Sequence, residues 1–200
     1  MLYVVSGPSG GGKSTLIRRV LREVPRLRFS VSHTTRPRRA SEREGRDYHF
    51  VPAEVFQRMA ARGAFLEWAK VHGHLYGTSR AEVGGRRGDV VLDIDVQGAR
   101  QVRAALGTTG EAVFVFVTPP SFRELVRRLR ARGEDDAAAM ARRLRNARRE
   151  MRAAAGFDYI VINDDLESAV AELKTIVLAA RCRTAARKKR LTAVVRSFGR

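Results

Sequence analysis

Gly7-Pro8-Ser9-Gly10-Gly11-Gly12-Lys13-Ser14 fits the pattern G-x-x-x-x-G-K-[ST] and stands between an apolar strand pattern, Leu2-Tyr3-Val4-Val5, and a helical one. That order of strand, glycine-rich loop and helix is what phosphate binding requires. The glycines let backbone N–H groups turn inward around phosphate oxygens, and the helix N-terminus adds a dipole that favours negative charge. In that setting Lys13 reaches the outer phosphates and Ser14 holds a magnesium ion. Behind the loop, Leu16, Ile17, Val20, Leu21 and Val24 share one face at helical spacing, and Pro25 closes the segment. A glycine-rich turn with a chance lysine is the competing reading, and the flanking strand and helix argue against it.

A chain of 200 residues with 44% hydrophobic side chains has enough material for one domain with its own core, or for one with a small inserted lobe. The wholly apolar run Ala112 to Val117 is far short of the roughly 20 residues that span a bilayer, and the first residues already read as strand, so the expectation is a cytoplasmic protein with no membrane partner. A single cysteine, Cys182, excludes an internal disulfide and a cysteine-rich metal site. The net charge of +18 suggests a nucleic-acid binder until it is divided along the chain. Lysine occurs only at 13, 70, 174, 188 and 189, so the excess is almost all arginine; residues 181 to 200 hold eight cations and no acid, which leaves +10 for the rest. The basic tail, about 184–200, reads as a solvated or frayed terminus ahead of a dedicated RNA or acidic-partner segment.

Arg28-Phe29-Ser30-Val31-Ser32 reads as a short strand, and Pro37 pushes Arg36 out of helical geometry. From there to about residue 80 the pattern is mixed. Tyr48-His49-Phe50-Val51 alternates like a strand, Ala53 to Arg62 is a helix ended by Gly63, and Phe65-Leu66-Glu67-Trp68-Ala69 and Lys70-Val71-His72 read as strands. An α/β rhythm then resumes with strands at Asp89–Ile94 and Val113–Val117, apolar enough for the interior of a parallel sheet. Ser121-x-x-Glu124 is a capping box whose helix carries Phe122, Leu125, Val126 and Leu129 up to Gly133; residues 135 to 155 follow as a long arginine-laden helix. Tyr159–Ile162 is a last strand, and a final helix turns Leu166, Val170, Leu173, Ile176 and Val177 inward. The fold class expected is α/β: a parallel sheet core with flanking helices (about 1–32 and 88–183), a small inserted lobe containing β-structure (about 33–87), and a helical lid (about 128–150) within the core.

Four further groups of residues point to chemistry. Arg36, Arg39 and Tyr48 surround an irregular loop where forked guanidinium groups and a phenol suit a second phosphate; a solvated basic loop is the alternative. Glu67 sits between Leu66 and Trp68, with Tyr76-Gly77-Thr78 following. On pattern alone Glu67 reads as an exposed alternate-face residue. A buried carboxylate there would accept two parallel hydrogen bonds from guanine N1–H and its 2-amino group, whereas adenine would leave it unpaired at a cost of about 1 to 3 kcal/mol per lost partner. Asp93 and Asp95 end a strand near the glycine-rich loop, where an acid can orient magnesium waters, hold an acceptor or cap a helix. Arg128, Arg132 and Arg143, among many neighbouring arginines, flank Gly133 and the acidic linker Glu134-Asp135-Asp136, a layout that suits a lid closing over a transferring phosphoryl group.

Together the motifs G-P-S-G-G-G-K-S, S-V-S-H-T-T-R-P-R-R, D-Y-H-F, F-L-E-W-A, Y-G-T-S and L-D-I-D-V-Q-G resemble those of guanylate kinases, in family order, from about Leu2 to Ala180. The resemblance implies a phosphotransferase that moves the γ-phosphoryl group of ATP to GMP with Mg2+ as cofactor. It implies that Gly7 to Thr15 and Asn163 bind ATP, that Ser32, Arg36, Arg39 and Tyr48 hold the GMP phosphate, and that Glu67 and Thr78 read guanine. Tyr76 and Asp95 complete the acceptor pocket. Lys13, Arg36, Arg128, Arg132 and Arg143 are the implied catalytic cations, and Ser14 the metal ligand, with Asp93 a candidate to act on the metal through water. His33, His49, His72 and His74 are expected to be structural. The inserted lobe would then bind GMP. The chain departs from the family between Arg80 and Asp89, where Gly84-Gly85 stands in place of a longer helix, and after about Arg183. A kinase for another phosphorylated acceptor has no use for Glu67, Tyr76 and Thr78 together; a scaffold module of this family typically has a damaged phosphate loop; and no N-K-x-D motif points to a GTPase. Oligomeric state stays open at this level.

Overall fold

The computed structural model describes residues 1–71, 73–84, 88–107, 110–131 and 137–199. Along the chain these form β1 (Leu2–Ser6), α1 (Lys13–Glu23), β2 (Leu27–Phe29), β3 (His33–Thr34), β4 (His49–Phe50), α2 (Ala53–Ala61), β5 (Phe65–Val71), β6 (His74–Ser79), α3 (Arg80–Gly84), β7 (Asp89–Asp93), α4 (Val96–Leu106), β8 (Ala112–Thr118), α5 (Phe122–Ala131), α6 (Ala137–Met151), β9 (Tyr159–Ile162), α7 (Leu166–Ala180) and α8 (Thr184–Phe198). Five strands make a parallel sheet in the order β2-β7-β1-β8-β9, so β2 and β7 lie on one side of β1, β8 and β9 on the other, and the carboxyl ends of β1, β7 and β8 meet at one edge. That is where ligands bind in open α/β sheets.

β1 is buried along its whole length, and its alternation divides the core. Tyr3 and Val5 join Leu16, Ile17 and Val20 of α1 and Val170, Leu173 and Val177 of α7 on one face. Leu2 and Val4 join Ala99 and Val102 of α4 on the other, with Leu66 reaching in from β5. The strands expected at Asp89–Ile94 and Val113–Val117 are β7 and β8, next to β1, which explains why they read as continuous apolar runs. Ile94 lies just beyond the strand. A second sheet, in the order β4-β3-β6-β5, gathers the middle of the chain. Phe56 of α2 is fully buried against it and stacks on Phe65 at 4.4 Å between ring centroids.

Several expectations change. Of the strand expected at residues 28–32 only Arg28 and Phe29 belong to one, β2; Ser30, Val31 and Ser32 carry the chain out of the main sheet to β3, which starts at His33. The two strands expected at 65–69 and 70–72 are one, β5, which turns at Gly73 (φ +92°) into β6, a strand the sequence reading lacks; His72 lies outside the described residues. Helix α4 was also not anticipated. The capping box at Ser121 is half formed: its hydroxyl accepts from the Glu124 N–H, but the Glu124 carboxylate turns to Arg127 and Arg128. The long helix is α6, which ends at Met151, short of the expected residue 155; Arg132, Gly133 and the acidic linker lie outside the described residues. α3 is described as far as Gly84, and Gly85 lies outside the described residues. The tail is not a frayed coil up to Phe198 but the helix α8, which buries none of its side chains.

Candidate active site

The phosphate-loop motif runs from the end of β1 into α1. Gly7 and Gly12 have φ of +135° and +92°, where a side chain is strained, and a Cβ at Gly7 would run into the Val117 carbonyl oxygen of β8. Lys13 Nζ donates to the carbonyls of Gly7 (2.6 Å) and Pro8 (3.2 Å), so the loop closes around its own lysine. Ser14 Oγ donates to Asp93 Oδ2 at 2.8 Å, which ties the start of α1 to the end of β7. A hydroxyl and a carboxylate oxygen side by side are hard donors of the kind magnesium takes.

A cleft of about 310 Å³ opens over this loop, lined on the near side by loop residues with Lys13, Ser14, Asp93 and Asp95. Its far side is built by Ser32, Tyr48, Glu67 and Tyr76 from the second sheet and its approaches. Glu67 is only 4% exposed, while Trp68 beside it is 43% exposed, so the exposed alternate-face reading of Glu67 is wrong. Glu67, Ala69 and Val71 turn to the cleft side of β5, while Phe65, before the register slip between Phe65 and Glu67, packs on Phe56 from the other side together with Trp68. Glu67 Oε1 accepts the Thr78 N–H at 2.9 Å, and Thr78 Oγ1 lies 3.5 Å from Ser32 Oγ. Burial pushes the Glu67 carboxyl up to about 7, against the pull of the Thr78 bonds and helped by Asp95. Burial likewise raises the Tyr48 phenol to about 12, with Asp93 adding to it, so Tyr48 stays a hydrogen-bond donor.

Of the remaining expected residues that are described, Asp95 belongs to the cleft wall and the others lie around it. Arg36 is held by Glu42 (2.7 Å) with its guanidinium 5.5 Å from the Tyr48 ring centre. The Arg39 backbone N–H donates to the other Glu42 oxygen. Burial of Glu42 is outweighed by these bonds, and its carboxyl sits below the usual range. Asp95 caps α4 through the Gly98 N–H at 2.8 Å while facing the cleft. Asn163 is buried behind the loop, donating to Gly11 O at 2.9 Å, and a Cβ at Gly12 would overlap its amide. Arg128 bridges Glu124 (2.7 Å) and the Asn163 carbonyl (2.8 Å). Arg143 lies on α6 outside the cleft lining. Arg132 is not among the described residues.

The family model for guanylate kinase matches residues 1–180. The chain belongs to the guanylate kinase family. It is 51% identical over 186 residues to a guanylate kinase of Syntrophotalea carbinolica, covering 92% of this chain and 87% of that relative. It is 50% identical over 192 residues to one of Nitratidesulfovibrio vulgaris, covering 92% and 91%. The crystal structure of guanylate kinase from Anaplasma phagocytophilum superposes with a TM-score of 0.75 at 31% identity, over 93% of this chain and 88% of that one. The motif-based assignment to the guanylate kinase family and its α/β fold is therefore upheld.

Sequence reasoning missed one acid in this guanylate kinase cleft, Glu150. It stands near the end of α6 among arginines, and only the fold brings it opposite Lys13 and Asp95. Burial, with Asp95 adding, raises its carboxyl to about 7 although Lys13 pulls it down. No linear spacing marks it, because the helix that carries it is distant in sequence from both neighbours. Among the described residues no helix is long and apolar enough to cross a membrane.

Proposed function

We propose that this chain transfers the γ-phosphoryl group of ATP to GMP, and to dGMP, giving ADP and the nucleoside diphosphate. The observation that carries the reading is the pairing of two recognition elements across one cleft: the Lys13–Ser14 phosphate loop, and the buried Glu67 carboxylate fixed by Thr78. A phosphate loop alone specifies a nucleotide; a buried acceptor-only pair opposite it specifies a base with adjacent N–H donors, which is guanine. No residue of the cleft described above is committed to a ribose 2′-hydroxyl, hence dGMP.

The roles follow from position. Backbone N–H groups from Gly7 to Thr15 and the α1 N-terminus hold the donor phosphates, and Lys13 balances their charge. Asn163 and Arg128 brace the loop from behind, beside the donor site. Ser32, Arg36, Arg39 and Tyr48 hold the GMP phosphate, Tyr76 and Asp95 bound the acceptor, and Glu67 with Thr78 reads the base. Ser14 and Asp93 fit Mg2+, which when bound neutralises charge on the donor phosphates. Arg128, Arg132 and Arg143 act from the lid, about 128–150, when it closes on the second sheet, the GMP lobe of about 33–87. Closure would exclude water that otherwise hydrolyses ATP. In-line positioning of this kind supplies roughly 7–11 kcal/mol of barrier reduction without a covalent nucleophile. We assign the activity to the cytoplasm. Coupled ADP release with GMP, dGMP, AMP, UMP and dTMP as acceptors tests the reading: GMP and dGMP should turn over at least a hundredfold better in kcat/KM than the rest, and equal use of AMP would refute it.

A further inference from the structure

Helix α4 touches the strand that carries Glu67 at two points one turn apart. At the first, Gly98 has an ordinary helical backbone, so its lack of a side chain is not a conformational need. It is a need for space: a Cβ built there would overlap Glu67 Oε2 and come within 3.0 Å of Glu67 Cδ. At the second, the Gln101 amide embraces the backbone of Trp68. Its Oε1 accepts the Trp68 N–H at 3.1 Å and its Nε2 donates to the Trp68 carbonyl at 2.8 Å. β5 is an edge strand of its sheet, so these are groups its own ladder leaves open, and Gln101 closes one matched pair of them.

The Glu67 carboxylate is thereby bounded on each side. Thr78 N–H holds Oε1 from β6, the bare α-carbon of Gly98 leaves room for Oε2, and Gln101 fixes the peptide that follows Glu67. Two parallel hydrogen bonds to a flat base edge demand that both oxygens lie in the plane of the base, since such bonds weaken steeply with misalignment. We infer that Gly98 and Gln101 are specificity-positioning residues, which set the aim of Glu67 at the acceptor base from helix α4. This rests on the reading of Glu67 as the guanine contact.

The test compares GMP with IMP, which keeps the N1–H and lacks the 2-amino group, in kcat/KM on the full chain. Glu67→Ala serves as the reference for lost aim. Gly98→Ala should lower the GMP/IMP ratio about tenfold, toward the Glu67→Ala value, with KM for ATP within twofold of wild type. Gln101→Ala should lower the ratio about threefold, and Gln101→Glu, which keeps only the acceptor for the Trp68 N–H, should fall between it and wild type. A merely structural role would lower both acceptors together and leave the ratio unchanged. Should Gly98→Ala fail to fold, the Gln101 pair carries the test alone. If wild type has no preference for GMP over IMP, or Glu67→Ala keeps it, the guanine reading fails and the inference with it. If Glu67→Ala abolishes the preference while the Gly98 and Gln101 variants retain the wild-type ratio, the inference alone is overturned.

Discussion

Glu67 shows how one side chain joins stability to specificity. In the unfolded chain its carboxyl titrates near its ordinary 4.5, and in the fold burial holds it at about 7. Between those values the native state keeps a proton that the unfolded state has lost, so this group's contribution is greatest below pH 4.5 and falls as pH rises through 7. Above pH 7 the charged carboxylate costs the fold up to about 3 kcal/mol. The fold tolerates that cost because only the ionised form accepts two bonds from a base. Glu67→Gln should therefore stabilise the protein at pH 8 by up to about 3 kcal/mol and much less at pH 4.5. Denaturant melts at the two pH values read this, and a gain independent of pH would contradict it. Glu67 was legible as a candidate only because guanine chemistry made sense of it, since its neighbours alone suggested an exposed position. Glu150, half-buried in the same cleft, left no such sign.

At the scale of elements, what the sequence disclosed tracks where the stabilising contacts come from. β1, β7 and β8 are buried on both faces, so each reads as an apolar run, and α1 and α7 carry an uninterrupted apolar face. α4 escaped notice because Gln97, Arg100, Gln101 and Arg103 dilute Ala99, Val102 and Leu106, although Asp95 and Gly107 stand at its two ends as cap residues. β6 escaped because Tyr76-Gly77-Thr78 read as a motif, and it is a strand only through its pairing with β5 and β3. The second sheet depends on a few aromatic contacts, which gives a separable prediction. Phe56→Ala removes a fully buried ring stacked on Phe65 and should destabilise the second sheet by about 3–5 kcal/mol. Calorimetric titration should then show GMP binding weakened tenfold or more with ATP binding nearly unchanged, because the phosphate loop belongs to the other sheet. Equal loss of both ligands would mean that the two sheets do not fold separably.

The whole molecule sets a donor loop at the edge of a parallel sheet against an acceptor lobe; the close approach of α4 and β5 joins the two, as do the bonds from Arg28 of β2 to the Glu82 and Val83 carbonyls. The tail stands apart from that design. The family model ends at residue 180, and α8 beyond it buries no side chain, its Arg187 bonding only to the nearby Arg181 carbonyl and Cys182 sulfur. Deleting residues 184–200 should change stability by less than about 1 kcal/mol and leave kcat/KM for GMP within twofold. Salt-dependent retention on RNA, compared with and without the tail, reads whether its six cations serve any partner. Within the remaining chain the central claim is that the phosphate loop marks the donor and Glu67 names the acceptor. Its most direct test is the ratio of kcat/KM for GMP over AMP in wild type and in Glu67→Ala. The account predicts a ratio above a hundred that collapses at least tenfold in the variant, with KM for ATP little changed; a variant that still prefers GMP as strongly as wild type would contradict it.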